Sequence, residues 1–534
     1  MRGFPAASRG FALSSLALLA VALGSFGASS MAAAADTAPV IDTSAGWVRG
    51  IARPGGGGEF LGIPYAEPPI GNLRWRAPVP AKPWKGIRDA RAFGAPCAQP
   101  VLGDWNRRDA LVSREDCLYL NVIVPERPLK KPLPVMFWIH GGANTGGSGG
   151  GSLYNSGTLV EHGVVLVTIN YRLGIFGFLA HPGLTRESKL HASGDYGLMD
   201  QILALQWVHE NIARFGGDPD DITVFGQSAG SMDISLLMAS RARTTFQKAI
   251  EASGAAIDVP TLKEAEGSGV ALAAALEAPS GDAIAYLRKI SAHALISRLA
   301  ALPASQQPDI GPDVDGWVLT DSPAKVYATG RESPIPLLFG TTTRELDERT
   351  PTAALRRLIE EQTQPFAAEE LAIYGLAHGG GGSTDPKYGD ADEQIGADNN
   401  FRCPALLEAS WHTAAGHATY EYELDHAIPG HPFAIHSGEL PYVFGFFPKT
   451  GNLAGDFTAT DRRLAELIQT YWTDFAKTGD PNRAHVPEWP PFGEARNYIQ
   501  FLQDGRVATD HDLRHAQCTV YRKIIMANMD EQGR

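Results

Sequence analysis

Positive charge is in short supply in this sequence. Lys and Arg number 46 against 59 Asp and Glu, a net charge of −13 at pH 7. That balance argues against nucleic-acid binding, which wants a basic face. Long apolar runs are missing too. Nothing after the N-terminal segment approaches the ~20 residues of a membrane-spanning helix, so no stable membrane insertion is expected. There is no internal repeat, no zinc-spaced His/Cys cluster, and no Rossmann or P-loop motif in a suitable context. No metal and no organic cofactor is therefore implied. Cysteine is scarce: Cys97, Cys117, Cys403 and Cys518 are the only four.

The apolar run that does exist is N-terminal and short. Arg2 and Arg9 precede Phe11–Leu23 (FALSSLALLAVAL), and small residues ending SMAAAA follow. This is the layout of a secretory signal peptide, with cleavage expected near Ala35. The two arginines are not adjacent, so a twin-arginine signal is not supported. No cysteine precedes Cys97, which argues against lipid attachment near the cleavage site. The expectation is an exported protein, periplasmic or secreted, with residues 1–35 as signal and 36–534 as one domain. In an exported chain four cysteines permit two disulfides, and three connectivities are open.

The chain has ample apolar material, 44% of its residues, for a large core. Leu133–His140 (LPVMFWIH), Val164–Asn170 (VVLVTIN) and Ile222–Phe225 (ITVF) are short, apolar and β-branched or aromatic. Such runs fit strands buried on both faces of a mostly parallel sheet. Between the last two, Leu198–Phe215 carries Ile202, Leu205, Val208 and Ile212 at helical spacing. Strand–helix alternation predicts an α/β fold with a mostly parallel central sheet flanked by helices. The clusters Gly55–Gly58 and Gly379–Gly382 read as surface loops, the second ending a helix over Glu369–Ala377. The Ala- and Leu-rich stretch Thr261–Ala301 reads as helical. It and residues 351–430 are expected to be insertions around the sheet that wall a substrate pocket.

Gly226-Gln227-Ser228-Ala229-Gly230 lies directly after the strand ITVF and before the helical run Ser231–Met238. A G-x-S-x-G turn in that context lifts the serine hydroxyl above the sheet at a helix N-terminus. The pattern alone is weak. Gly146-Gly147-Ser148-Gly149-Gly150 also matches it but has neither flanking strand nor helix, so Ser148 reads as a loop serine. His140-Gly141-Gly142-Ala143 follows LPVMFWI as an oxyanion loop should, and its N–H groups can converge with that of Ala229. His378-Gly379-Gly380 follows a helix and reads as a flexible loop.

Longer segments resemble the type-B carboxylesterase family, which includes carboxylesterases, cholinesterases and some lipases. These are FLGIPYAEPPIGNLRWRAP (Phe60–Pro78), EDCLYLNV (Glu115–Val122), NYRLGIFGFL (Asn170–Leu179), GDYGLMDQILALQWVHENIARFGGDP (Gly194–Pro219) and IHSGELPYVFG (Ile435–Gly445). The resemblance runs from about residue 40 to the C-terminus and implies the α/β-hydrolase fold, with helical insertions forming the pocket walls. It implies a Ser–Glu–His triad of Ser228, Glu345 and His436, and oxyanion donors at Gly142, Ala143 and Ala229. Pro336–Arg349 (PLLFGTTTRELDER) departs from the family's acid motif: Thr stands for Asn and Leu346 for a Gly. Asp347 and Glu348 remain alternatives if that loop is shifted, and His426 and His431 are rivals to His436. The resemblance also implies the pairings Cys97–Cys117 and Cys403–Cys518.

The implied activity is hydrolysis of a small-molecule carboxylic ester through an acyl-enzyme. A non-catalytic binding protein on the same fold is one alternative; an amidase, carbamate hydrolase or lipase is another. Gln227 stands where the family commonly has Glu, which weakens a cholinesterase-like cation site. Trp105 in the Cys97–Cys117 loop is the counter-hint, since an indole face can bind a cation. Arg107, Arg108 and Arg114 in the same loop read as a solvated face, with recognition of a carboxylate-bearing ester as the alternative.

Overall fold

The computed structural model describes residues 38–532, apart from 54–56, 127–130, 156–157, 308–309 and 347–349. The leader expected over residues 1–35 and the alternative acids Asp347 and Glu348 lie outside the described residues.

Eleven strands form the main sheet: β1 (Ile51–Ala52), β2 (Gly58–Pro64), β3 (Tyr119–Val124), β4 (Leu133–Ile139), β5 (Val165–Ile169), β6 (Gly217–Gln227), β7 (Lys248–Ala252), β8 (Leu337–Thr342), β9 (Thr419–Leu424), β10 (Asn497–Phe501) and β11 (Val507–His511). Their spatial order is β11-β10-β9-β8-β7-β6-β4-β5-β3-β2-β1. The run from β10 to β5 is parallel, and antiparallel strands close both edges. A separate three-stranded sheet pairs Val40–Thr43, Gly46–Arg49 and Ile87–Asp89.

The apolar runs are continuous because both faces of the sheet are covered. In β4, Val135, Phe137 and Ile139 enter one core cluster, and the intervening Met136 and Trp138 enter the other. The same alternation divides Val224 from Phe225, and Leu337 and Phe339 from Leu338. Helix α1 (Tyr196–Asn211) covers the first face with Leu198, Leu205 and Val208. Helix α2 (Ala229–Ala239) follows β6 after the single residue Ser228 and is tied to α1 by the Gln201–Asp233 hydrogen bond. On the second face lies the longer helix Ala459–Thr478, which contributes Leu464, Ile468, Trp472 and Phe475. At 25 cal/mol per Å², each such fully buried large side chain contributes about 1.5–3 kcal/mol before entropy is charged against it.

Several sequence expectations need correction. The helix expected to run to Phe215 ends at Asn211 and tightens into a 3₁₀ turn, Ile212–Phe215, closed by Gly216 in the left-handed region. Thr261–Ala301 is helical as expected, in three helices, Leu262–Ala275, Ala283–Arg288 and Ala292–Ala301. The helix expected over Glu369–Ala377 spans Ala367–Ile373, with a separate turn at Ala377–Gly379. Gly58, read as part of a surface loop, is buried and opens β2.

The larger miss is in residues 351–430, read wholly as insertion. Their last part, Thr419–Leu424, is β9, a strand within the parallel run. Its sequence TYEYEL hides this, because Glu421 and Glu423 are buried like the apolar residues of its neighbours. Lys387 donates to Glu423 Oε2 at 2.6 Å, which makes one of those burials tolerable. Both expected disulfides are present, Cys97–Cys117 and Cys403–Cys518.

Candidate active site

At the end of β6 the chain turns through Ser228, at φ 57° and ψ −128°, and enters α2 at Ala229. A non-glycine residue in this region costs of order 1–3 kcal/mol and persists only where its surroundings enforce it. They do so here by close backbone packing. A Cβ on Gly230 would stand 2.1 Å from the Ile139 carbonyl oxygen, and one on Gly226 would stand 2.6 Å from the Gly230 backbone. The Ser228 N–H donates to Ala252 O at 2.8 Å, tying the turn to β7.

The loop after β4 lies against this turn. A Cβ on Gly141 would meet Gln227 O at 2.5 Å and Ser228 Cβ at 3.0 Å. Gly142 (φ 115°), Ala143 (φ 53°) and Asn144 (φ 52°) follow in positive-φ conformations. Among the described residues, the N–H groups of Gly142, Ala143 and Ala229 have no hydrogen-bond acceptor. That of Ala229 is left over by the geometry of a helix start. Two of these N–H groups lie on the loop after β4 and the third at the turn after β6, which that loop touches through Gly141.

This loop is braced from beneath. Tyr171 Oη donates to His140 O (2.8 Å) and Asn144 Oδ1 (3.0 Å), and Asn144 Nδ2 donates to Asp233 Oδ1 on α2 (2.8 Å). Gln201 from α1 donates to the other Asp233 oxygen at 2.5 Å. Burial pushes the Asp233 carboxyl up to about 7, against the pull of the Asn144 and Gln201 bonds. His140 is buried and stacked on Tyr171, and burial pushes its pKa down to about 4, so it stays neutral. Nothing in the local sequence marks Tyr171, Gln201 or Asp233 for this task.

Glu345 follows β8 and is buried. One carboxylate oxygen accepts from Ser253 Oγ (2.9 Å) and from the Thr342 N–H (2.7 Å). The other accepts from His436 Nδ1 at 2.6 Å. A short bridge between Arg344 and Ile435, with the Arg344 N–H donating to Ala434 O (3.1 Å), joins the loops that carry the two residues. Arg402 donates to the carbonyls of Thr342 and Thr343 and pairs with buried Asp398, holding the Glu345 loop from the other side. Burial works against a charged His436, but the hydrogen bond and charge of Glu345, joined by the charge of Glu439, hold its pKa above the ordinary value. Glu439 is itself buried, and burial with the nearby Glu345 charge pushes it up to about 7.

The remaining ring nitrogen of His436 faces the side-chain amide of Gln227, Nε2 to Nε2 at 3.1 Å. Among the described residues no hydrogen bond joins Ser228 Oγ to His436. With Nδ1–H given to Glu345, Nε2 presents a lone pair, so Gln227 donates to it. The rivals lie elsewhere. His426 is bonded to Asp461 Oδ1 (2.9 Å) and Leu502 O (3.0 Å). Ser148 is buried and donates to Asp109 Oδ2 at 2.7 Å.

Trp105 is exposed and sits at the loop after β4: a Cβ on Gly142 or Gly146 would meet its ring at 3.0 or 3.2 Å. Arg107 pairs with Asp104 (3.0 Å) and Arg108 with Asp109 (3.6 Å), which favours the solvated-face reading of that loop. No helix among the described residues is long and apolar enough to cross a membrane.

The carboxylesterase family model matches residues 37–521. The chain is 36% identical over 463 residues to fumonisin B1 esterase of Sphingopyxis macrogoltabida, covering 83% of each chain. It is 36% identical over 500 residues to para-nitrobenzyl esterase of Bacillus subtilis (strain 168), covering 89% of this chain and 97% of that one. Among solved structures, a thermophilic PNB esterase superposes with a TM-score of 0.81 at 33% identity, covering 91% of this chain and all of the other.

Proposed function

The chain belongs to the carboxylesterase family and is a carboxylic-ester hydrolase of the α/β-hydrolase fold, and from that premise we propose that it works through an acyl-enzyme on Ser228. In this reading His436 is the base and Glu345 the acid that orients it. Gly142, Ala143 and Ala229 supply the oxyanion donors. The observation that carries the proposal is the chain of contacts from Ser253 and Thr342 through Glu345 to His436, beside a strained serine at the end of β6.

The Ser228 oxygen attacks the ester carbonyl while its proton passes to His436 Nε2. For this, the imidazole exchanges the Gln227 amide for the Ser228 hydroxyl. The carbonyl oxygen takes negative charge beside the three N–H groups, which need no reorganisation to receive it. Collapse of the tetrahedral species breaks the bond to the alcohol, which leaves with the proton from His436. Water then repeats the sequence: its proton goes to His436, its oxygen to the acyl carbon, and Ser228 recovers its hydrogen. Glu345 stabilises the imidazolium at each stage without itself being protonated.

The substrate is a small-molecule ester. Neutral Gln227 beside the serine, in place of an acid, favours uncharged alcohol groups over choline-like cations. Ser228→Ala should fold normally and lose turnover of short p-nitrophenyl esters by at least ~10⁴-fold. Undiminished turnover would overturn the assignment.

The same reading takes residues 1–35 as a signal removed on export, leaving residues 36–534 as one hydrolase domain. The two disulfides fit an oxidising compartment. Mass spectrometry of the exported protein should find an N-terminus near Ala35.

A further inference from the structure

The sequence suggested no metal-binding cluster, yet the fold assembles one from distant positions. Glu332 lies in the segment before β8. His412 is in the last turn of the helix Cys403–Ala414, labelled α3, and His417 is in the short link from that helix to β9. One potential ligand atom from each lies within 4.8 Å of the others. Glu332 Oε1 is 3.0 Å from His412 Nδ1 and 3.9 Å from His417 Nε2. The two imidazole rings are 4.6 Å apart, centre to centre.

The protonation of His412 fixes what can lie between these groups. Its Nε2 is 2.8 Å from the Ile335 carbonyl oxygen and must donate to it. In the neutral ring Nδ1 then presents a lone pair, and at 3.0 Å that lone pair faces a carboxylate oxygen. Something positive has to sit between two acceptors. A second proton on His412 would serve that contact alone. It would give His417 Nε2, 3.9 Å from the same carboxylate oxygen, nothing. The other oxygen, Glu332 Oε2, is buried and has no hydrogen-bond partner among the described residues, so protein donors do not close the space around this carboxylate. A divalent cation would draw on all three residues together.

The spacing suits zinc. Tetrahedral Zn²⁺ with ligands at 2.0–2.1 Å holds neighbouring ligand atoms ~3.3 Å apart; the two separations from Glu332 Oε1, 3.0 and 3.9 Å, bracket that value, and the remaining one, within 4.8 Å, closes towards it by rotation of the partly exposed His417 ring. A ligand histidine whose other nitrogen donates to a backbone carbonyl is also the usual arrangement around zinc. We propose that Glu332, His412 and His417 form a zinc site, with Glu332 Oε1, His412 Nδ1 and His417 Nε2 as protein ligands. Water fills the fourth position on the partly exposed His417 side.

The site lies at the opposite end of the sheet from the ester chemistry. Glu332 and His417 precede the N-terminal ends of parallel strands β8 and β9, whereas Glu345 follows the C-terminal end of β8. A six-residue strand is about 20 Å long. The bound ion would therefore not touch substrate. It would fasten the C-terminal end of α3, whose N-terminal end is held by the Cys403–Cys518 disulfide, to the start of two central strands.

The test uses the full mature chain, purified without metal-affinity resin and stripped with chelator. Calorimetric titration with ZnCl₂ should find one Zn²⁺ per chain. His417→Ala should weaken that binding at least tenfold while ester hydrolysis stays unchanged. Zinc should raise Tm of the parent by about 2 °C or more, and should not raise that of H417A. Glu332→Gln should behave as H417A does. His436→Ala should retain zinc binding, which separates this site from the catalytic histidine. Absence of binding, equal affinity in H417A, or loss of binding only in H436A would overturn the proposal.

Discussion

Gln227 Nε2 lies 3.1 Å from His436 Nε2, so the residue before Ser228 donates to the lone pair that, in the proposed mechanism, takes the Ser228 proton. This contact makes Gln227 a tuning group for the base. Gln227→Glu places a carboxylate there and favours the imidazolium. Because only neutral His436 can act as base, the acid limb of kcat/KM should move to higher pH, by about one pH unit. A pH profile on a p-nitrophenyl ester reads this directly; an unmoved limb would remove Gln227 from the account.

The pH dependence of the parent enzyme follows from the groups around His436. Its pKa is raised, so the active neutral form is lost as pH falls through a value above the ordinary ~6.5. The acid limb should therefore lie above that value. Glu439→Gln removes one of the charges that raise it and should move the limb to lower pH, with kcat on the alkaline plateau little changed. Glu345→Gln removes the larger contribution and the ring's orienting partner, and should cost about 10⁴ in kcat. Stopped assays across the pH range distinguish the two variants.

In the loop after β4, which carries two of the proposed oxyanion donors, substitution should matter at Gly142 and hardly at Ala143. A Cβ on Gly142 would stand 2.2 Å from Gly146 O, at a φ of 115° that side chains rarely adopt. Gly142→Ala should displace the donors and cost at least ~10²-fold in kcat. Ala143→Gly keeps the N–H and relieves a left-handed alanine, so activity should remain within a few-fold. Kinetics with one ester, alongside circular dichroism to verify folding, decide the matter.

The disulfides should differ in what their removal costs. Cys403–Cys518 closes 115 residues and Cys97–Cys117 closes 20. Chain entropy predicts losses of about 4–5 and 3 kcal/mol for the paired Cys→Ser variants. Urea unfolding should rank them in that order. The shorter loop carries Trp105 against Gly142 and Gly146, so removing its disulfide should also alter KM.

The elbow was legible in the sequence because local context decides it: Ser228 follows a strand and precedes a helix, and Ser148 does neither. The meeting of His436 with Glu345 was legible through the segments that surround them, although Leu346 and the missing Asn blur the expected acid motif. What escaped was set by contacts across the chain. Asp233 gains its role from Asn144, 89 residues away, and Ser253 from Glu345, 92 away. Strand β9 escaped because Glu421 and Glu423 occupy positions where a strand buried on both faces is ordinarily apolar. The cluster of Glu332 with His412 spans 80 residues and leaves no local pattern.

The most direct measurement is intact-protein and peptide mass spectrometry after reaction with a fluorophosphonate. The account predicts one phosphonyl group per chain, on the peptide containing Ser228, formed in parallel with loss of esterase activity and much more slowly in His436→Ala. A label on another serine that tracks the loss of activity, or continued ester turnover with Ser228 fully labelled, would contradict it.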